Sequence, residues 1–124
     1  MWHGPERRTR APSLLVFCGG VMAAAAIGLS AYASHGITDA LAQSHVNTAA
    51  LYAFGHGIAL AVLGGSQPRL LGRLGLYLLL LGTAMFSGSL VGNALWQWPT
   101  RLAPAGGTTL MLGWLVWAVS ALRR

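Results

Sequence analysis

The apolar positions of this chain run in continuous blocks rather than alternating with polar ones. Four blocks stand out: Leu14 to Ala33, Thr48 to Gly65, Leu74 to Leu95, and Ala105 to Leu122. Each is close to the ~20 residues that an α-helix needs to cross a hydrocarbon core of about 30 Å. A transmembrane barrel would need strands that alternate between lipid and lumen, and these blocks do not alternate. Helices remain, because lipid offers backbone N–H and C=O groups no outside partner. The pattern predicts an all-α integral membrane protein with four transmembrane helices, preceded by a tail over residues 1–13.

The connections are short. The longest, Ile37 to Asn47, places Ile37, Ala40 and Leu41 on one helical face, with Asp39, Gln43 and Ser44 elsewhere. It reads equally as a short helix on the outer interface or as an ordinary polar connection. Ser66-Gln67-Pro68 is a helix stop and turn. Charge sets the expected orientation. Arg7, Arg8 and Arg10 precede the first span, Arg69 and Arg73 lie between the second and third, and Arg123 and Arg124 follow the fourth. Only Arg101 lies on the other side, between the third and fourth spans, where Trp96 and Trp98 would anchor a helix end at the interface. The positive-inside bias places both termini in the cytoplasm. A cleaved signal peptide is the alternative for the first span, with Ala31-Tyr32-Ala33 as its small-x-small site, but the apolar run exceeds the usual 7–15 residues.

Composition sharpens the same picture. The chain is 55% hydrophobic and 8% charged, against about 25% charged in a soluble domain. Its 124 residues would need a polar skin in water, and two acidic residues with eight arginines do not supply one. The net charge of +6 is spread over short clusters between apolar blocks rather than gathered on one face, so nucleic acid is not an expected partner. Cys18, the single cysteine, permits no intrachain disulfide and reads as a small apolar side chain. Two rows of small residues four apart, Gly20, Ala24 and Gly28 in the first span and Ala84, Gly88 and Gly92 in the third, are expected helix-packing ridges, within the chain or between chains.

Polar residues collect toward the outer side. At ~1.5 Å per residue, His56 falls about 12 Å below the outer surface, with Ser87 and Ser89 at roughly 9–12 Å. Asn93, Thr108 and Thr109 lie nearer that edge; His35 closes the first span there, and Tyr52 sits one turn above His56. These eight residues form the candidate polar pocket. The inner half, from Leu14 to Phe17, Ile58 to Leu63, Leu76 to Leu81 and Leu115 to Val119, is nearly all hydrocarbon apart from Tyr77 and Trp117. The outer cluster either glues helices together, at about 0.6 kcal/mol per hydrogen bond on average in membranes, or marks a ligand pocket or proton site. Haem between His35 and His56 does not fit, since their depths differ by roughly 10 Å on the helix rise. No metal-ligand spacing, paired acid or oriented nucleophile is present, so neither a cofactor nor a catalytic residue is expected.

Four segments in order carry a resemblance: Ala31 to Gly36 (AYASHG), Tyr52 to His56 (YAFGH), Phe86 to Leu90 (FSGSL) and Pro104 to Trp114 (PAGGTTLMLGW). Together they resemble domain-of-unknown-function family 423 (DUF423), a family of small inner-membrane proteins. The resemblance implies a four-span membrane protein, with His35, Gly36, His56, Ser87, Gly88, Ser89, Pro104, Gly106 and Gly107 as family-motif positions. It implies no activity. Three functions remain in view: a structural or accessory component that binds a membrane-protein partner or further copies of itself, a small transporter or proton-conducting oligomer, and a lipid- or quinone-binding protein. The lipid bilayer is the one partner all three require.

Overall fold

A computed structural model describes residues 12–65 and 67–123. Four helices follow one another: α1 (Leu14–Gly36), α2 (Ala40–Leu63), α3 (Leu70–Trp96) and α4 (Leu102–Ser120). All four are long and apolar enough to cross a membrane. Arg7, Arg8, Arg10, Glu6, Ser66 and Arg124, which entered the charge and turn reading, lie outside the described residues.

The helices exceed or shift the apolar blocks, and two of them, α1 and α2, begin at side-chain caps rather than where hydropathy rises. Ser13 starts α1 by accepting from the Val16 amide at 3.3 Å, and its hydroxyl reaches the Gly64 carbonyl. Asp39 starts α2 by accepting from the Ala42 amide at 2.9 Å. The stretch Ile37 to Asn47 is therefore neither a separate interfacial helix nor a polar loop. From Ala40 onward it forms the first turns of α2, and His45 is helical. Gln43 turns back from α2 and donates to the Ala33 carbonyl at 2.7 Å, closing the end of α1. Helix α1 runs unbroken through Ala31-Tyr32-Ala33 and packs on α2.

The packing is sequential: α1 lies on α2, α2 on α3 and α3 on α4, while α1 only grazes α3 and does not approach α4. The arrangement is an open row, not a bundle closed on all sides. Its core has two halves. Toward the end bearing Ser13, Gly64 and Arg69, here the arginine end, Leu15, Leu60, Leu76, Leu79 and Leu110 form one buried cluster. Toward the opposite, tryptophan end, Ala26, Ala50 and Ala53 form a thinner one.

Glycine fixes how closely the hairpins pack. A Cβ on Gly19 would stand 2.5 Å from the Ala61 amide nitrogen and 2.6 Å from the Gly57 carbonyl oxygen. One on Gly57 would stand 2.8 Å from the Gly19 carbonyl oxygen. Gly82 and Gly106 interlock in the same way across α3 and α4, and so do Gly75 and Gly113. Gly75 and Gly82 are two helical turns apart, as are Gly106 and Gly113, so the antiparallel register brings both pairs together. In α1 the buried small positions Gly19, Ala26 and Ala33 follow the same spacing.

The expected ridges are not the rows that pack within the chain. Gly20, Ala24, Gly28, Ala84 and Gly88 are exposed, and a Cβ on Gly20, Gly28 or Gly88 would meet nothing within 4 Å. Gly92 is buried, but under the Trp98 ring rather than against another helix. A four-residue spacing suits right-handed crossings, whereas a two-turn spacing keeps one seam facing its partner in a left-handed pair. The second pattern is the one the chain uses for its own contacts.

Candidate functional site

The eight polar residues of the outer half do not share one pocket. Interhelical packing separates them into three places. The first is a groove of about 590 Å³ between α2 and α4, lined in part by Tyr52, His56, Phe86, Thr108, Met111 and Trp114. Here His56 lies at the centre of a hydrogen-bonded chain. Its Nδ1 is 2.8 Å from the Tyr52 carbonyl oxygen, an acceptor only, so Nδ1 carries the proton and donates. The Trp114 indole N–H, a donor only, points at His56 Nε2 from 3.0 Å. These partners match the Nδ1–H tautomer, with both nitrogens engaged. Tyr52 stacks over His56 at 5.9 Å between ring centroids and meets Phe86 of α3 at 4.5 Å. A bridge therefore spans α3 and joins α2 to α4, two helices whose backbones do not meet.

The second place is the buried seam between α2 and α3. Ser87 donates to the Ala49 carbonyl at 2.8 Å, tying the middle of both helices. Asn93 does the same nearer the end. Its Nδ2 donates to the Trp98 carbonyl at 2.7 Å, which fixes the amide orientation and leaves Oδ1 to accept from His45 Nδ1 at 3.0 Å. Thr108 and Thr109 bond back to the carbonyls of Pro104 and Ala105 in their own helix, the usual recourse of a hydroxyl in a lipid-facing helix. Ser89 is 6% exposed, and its hydroxyl has no partner among the described residues.

The third place is a groove of about 580 Å³ between α1 and α2, lined by His35, Ser30, Ser34 and Asn47 together with Ile27, Leu51 and Phe54. His35 and His56 thus line different grooves. Among the described residues no three His, Cys, Asp or Glu side chains gather as a metal site would require. Asp39, the one carboxylate in the described chain, is occupied as the cap of α2.

The seam and both grooves fall largely within residues 29–107, the stretch that matches the family model described as "Protein of unknown function (DUF423)". The chain belongs to the DUF423 family. Its relatives agree. A UPF0382 membrane protein of Staphylococcus epidermidis is 31% identical over 118 residues, covering 89% of this chain and 96% of its own length. A UPF0382 membrane protein of Staphylococcus saprophyticus is 28% identical over 118 residues, covering 89% of this chain and 98% of its own. No solved structure matches significantly. The protein is accordingly a membrane protein of a family of unknown function.

The segments that carried the DUF423 resemblance divide by role in the fold. Gly106 is buried against Gly82 and Phe86, and Ser87 ties α3 to α2. His35 and Gly36 close α1, and His56 holds Trp114, which lies beyond the matched stretch. Sequence reasoning missed His45, Gln43 and Trp114 as polar links, because each depends on the rotation of one helix relative to another. It also missed the interlocked glycines, whose two-turn spacing was legible in the chain.

Proposed function

We propose that this chain is a small, non-catalytic component of the cell inner (plasma) membrane that works by lateral association, through the outward face of α1, with another membrane protein or with further copies of itself. The observation that carries this reading is the row Gly20, Ala24 and Gly28. All three are exposed, and the chain's own packing makes no demand for glycine at Gly20 or Gly28. A glycine inside a helix costs about 1 kcal/mol relative to alanine. Rows of small residues on a membrane helix are where a second backbone approaches closely. Helix α1 also has the most surface to offer, being the least buried of the four spans.

Orientation follows from charge. Arg69, Arg73 and Arg123 stand at the end where α1 begins and α4 ends, and Arg101 stands at the other, which supports cytoplasmic termini. A transport pathway would have to pass the arginine half, where Leu15, Leu60, Leu76, Leu79 and Leu110 pack into one buried cluster. The engagement of both His56 nitrogens favours helix glue over a proton site. The α2–α4 groove, with its apolar walls and aromatic rim, supports a second reading as a seat for an amphipathic lipid or quinone-like molecule.

The test is purification in mild detergent with particle mass and co-purifying proteins read together. The association reading expects either a stoichiometric foreign partner or a homo-oligomer, lost in Ala24→Phe. A lone chain that retains a small molecule would favour the groove reading instead.

A further inference from the structure

The arginine end holds a feature that lateral association does not use. A groove of about 400 Å³ between α3 and α4 is lined by Arg69, Leu70, Leu71, Leu74, Ser120 and Arg123. We propose that this groove binds the headgroup phosphate of an anionic phospholipid, with Arg69 and Arg123 as its cationic ligands and the leucines of α3 as the seat for its acyl chains.

Charge complementarity is the first argument. Both polar-ended side chains at the rim that carry charge are arginines, and Arg73 follows Arg69 one turn along α3. Among the described residues no carboxylate lies at this end, since Asp39 caps α2 at the other. The second argument is donor supply. Arg69 uses one guanidinium N–H, bonding the Ser120 carbonyl at 2.6 Å, which holds the fork at the groove, and its other N–H groups have no partner among the described residues. That bond also removes competition. The last carbonyls of α4 are taken up by Arg69 and by the amides of Ala121, Leu122 and Arg123, and the Ser120 hydroxyl donates to Trp117. Helix α3 begins at the same groove, its N-cap Arg69 makes no side-chain cap, and the positive end of its dipole favours an anion nearby.

The third argument is position. The groove lies where a membrane-spanning helix leaves the hydrocarbon, with exposed Leu70 and Leu74 running from the arginines toward the apolar span. A phosphate that reaches it brings its acyl chains along that wall. A zwitterionic headgroup carries a cation that the arginines repel, so net negative charge is the selected property. Basic pockets between helix ends are a recurrent place for such lipids.

The full chain in mild detergent, titrated separately with phosphatidylglycerol and phosphatidylcholine and read by native mass spectrometry, tests this. The site predicts phosphatidylglycerol retained at least about tenfold more tightly, at roughly fivefold per arginine near a membrane surface. Arg123→Gln, which leaves the Arg69 bond to α4 intact, is expected to cut that preference about fivefold. Arg101→Gln at the opposite end leaves it unchanged. Equal retention of the two lipids, or equal loss in Arg123→Gln and Arg101→Gln, would overturn the proposal. Displacement of the lipid by millimolar inorganic phosphate would also overturn it, since the groove would then be a simple anion site.

Discussion

Individual side chains in this protein are held by what each can donate or accept, and neighbours of similar type differ sharply. Ser87 and Ser89 are two residues apart and both buried, yet among the described residues only Ser87 has a partner, the Ala49 carbonyl at 2.8 Å. Ser87→Ala is expected to lower the unfolding free energy by about 1 kcal/mol, while Ser89→Ala leaves it unchanged or raises it, as measured by denaturant titration in detergent micelles. The His56–Trp114 bond permits a sharper test, because an indole N–H has nothing to donate to once imidazole is replaced. A double-mutant cycle with His56→Phe and Trp114→Phe should give a coupling of about 0.6 kcal/mol, the average for hydrogen bonds between membrane helices. A coupling indistinguishable from zero would remove the bridge from this account. Sequence depth placed His56 and Ser87 together in the outer half, but it could not tell which neighbour each one faces. That depends on helix rotation, which a hydropathy pattern does not encode when a span is apolar all round.

At the level of helices and hairpins, the glycines decide the packing. Gly106 admits no Cβ, since one would stand 2.5 Å from the Phe86 amide nitrogen and 2.8 Å from the Gly82 carbonyl oxygen, both backbone atoms that cannot swing aside. Gly106→Ala is therefore expected to destabilise the fold by about 1–3 kcal/mol. Gly88→Ala, in open space and away from the α1 row, should be neutral or stabilising by up to about 1 kcal/mol. Thermal unfolding in one detergent compares them directly, and equal behaviour would contradict the interlocked register. The end of α3 offers the converse case. Gln97 adopts φ 57°, the one positive φ among the described non-glycine residues, as the helix closes through Gln97 N–H to Asn93 and Trp98 N–H to Gly92. Gln97→Gly should gain up to about 1 kcal/mol there. The four spans themselves were plain in the sequence, because twenty apolar residues have few other uses. Their ends were less so: Asp39 and Gln43 look like loop residues until the cap and the tie to Ala33 are seen. The rows that pack within the chain were not picked out, since the four-residue spacing is the more familiar one in membrane helices and sits one position away from Gly19.

For the molecule as a whole, the consequence of sequential packing is an open row with α1 and α4 at its edges. A closed bundle would hide small-residue rows inside, but this one leaves Gly20, Ala24 and Gly28 on the outer face of its least buried helix. The membrane-protein assignment and the DUF423 family were both legible in the residues, the first from hydropathy and the second from four short segments. The open edge was not, because nothing in a list of apolar blocks says whether the first helix meets the fourth. Lateral association is the claim on which the account rests, and particle mass in a native-like membrane disc tests it most directly. A particle heavier than one 13.0 kDa chain is expected, reduced to a single folded chain by Ala24→Phe. A wild-type protein that is monomeric and alone at every concentration would contradict it.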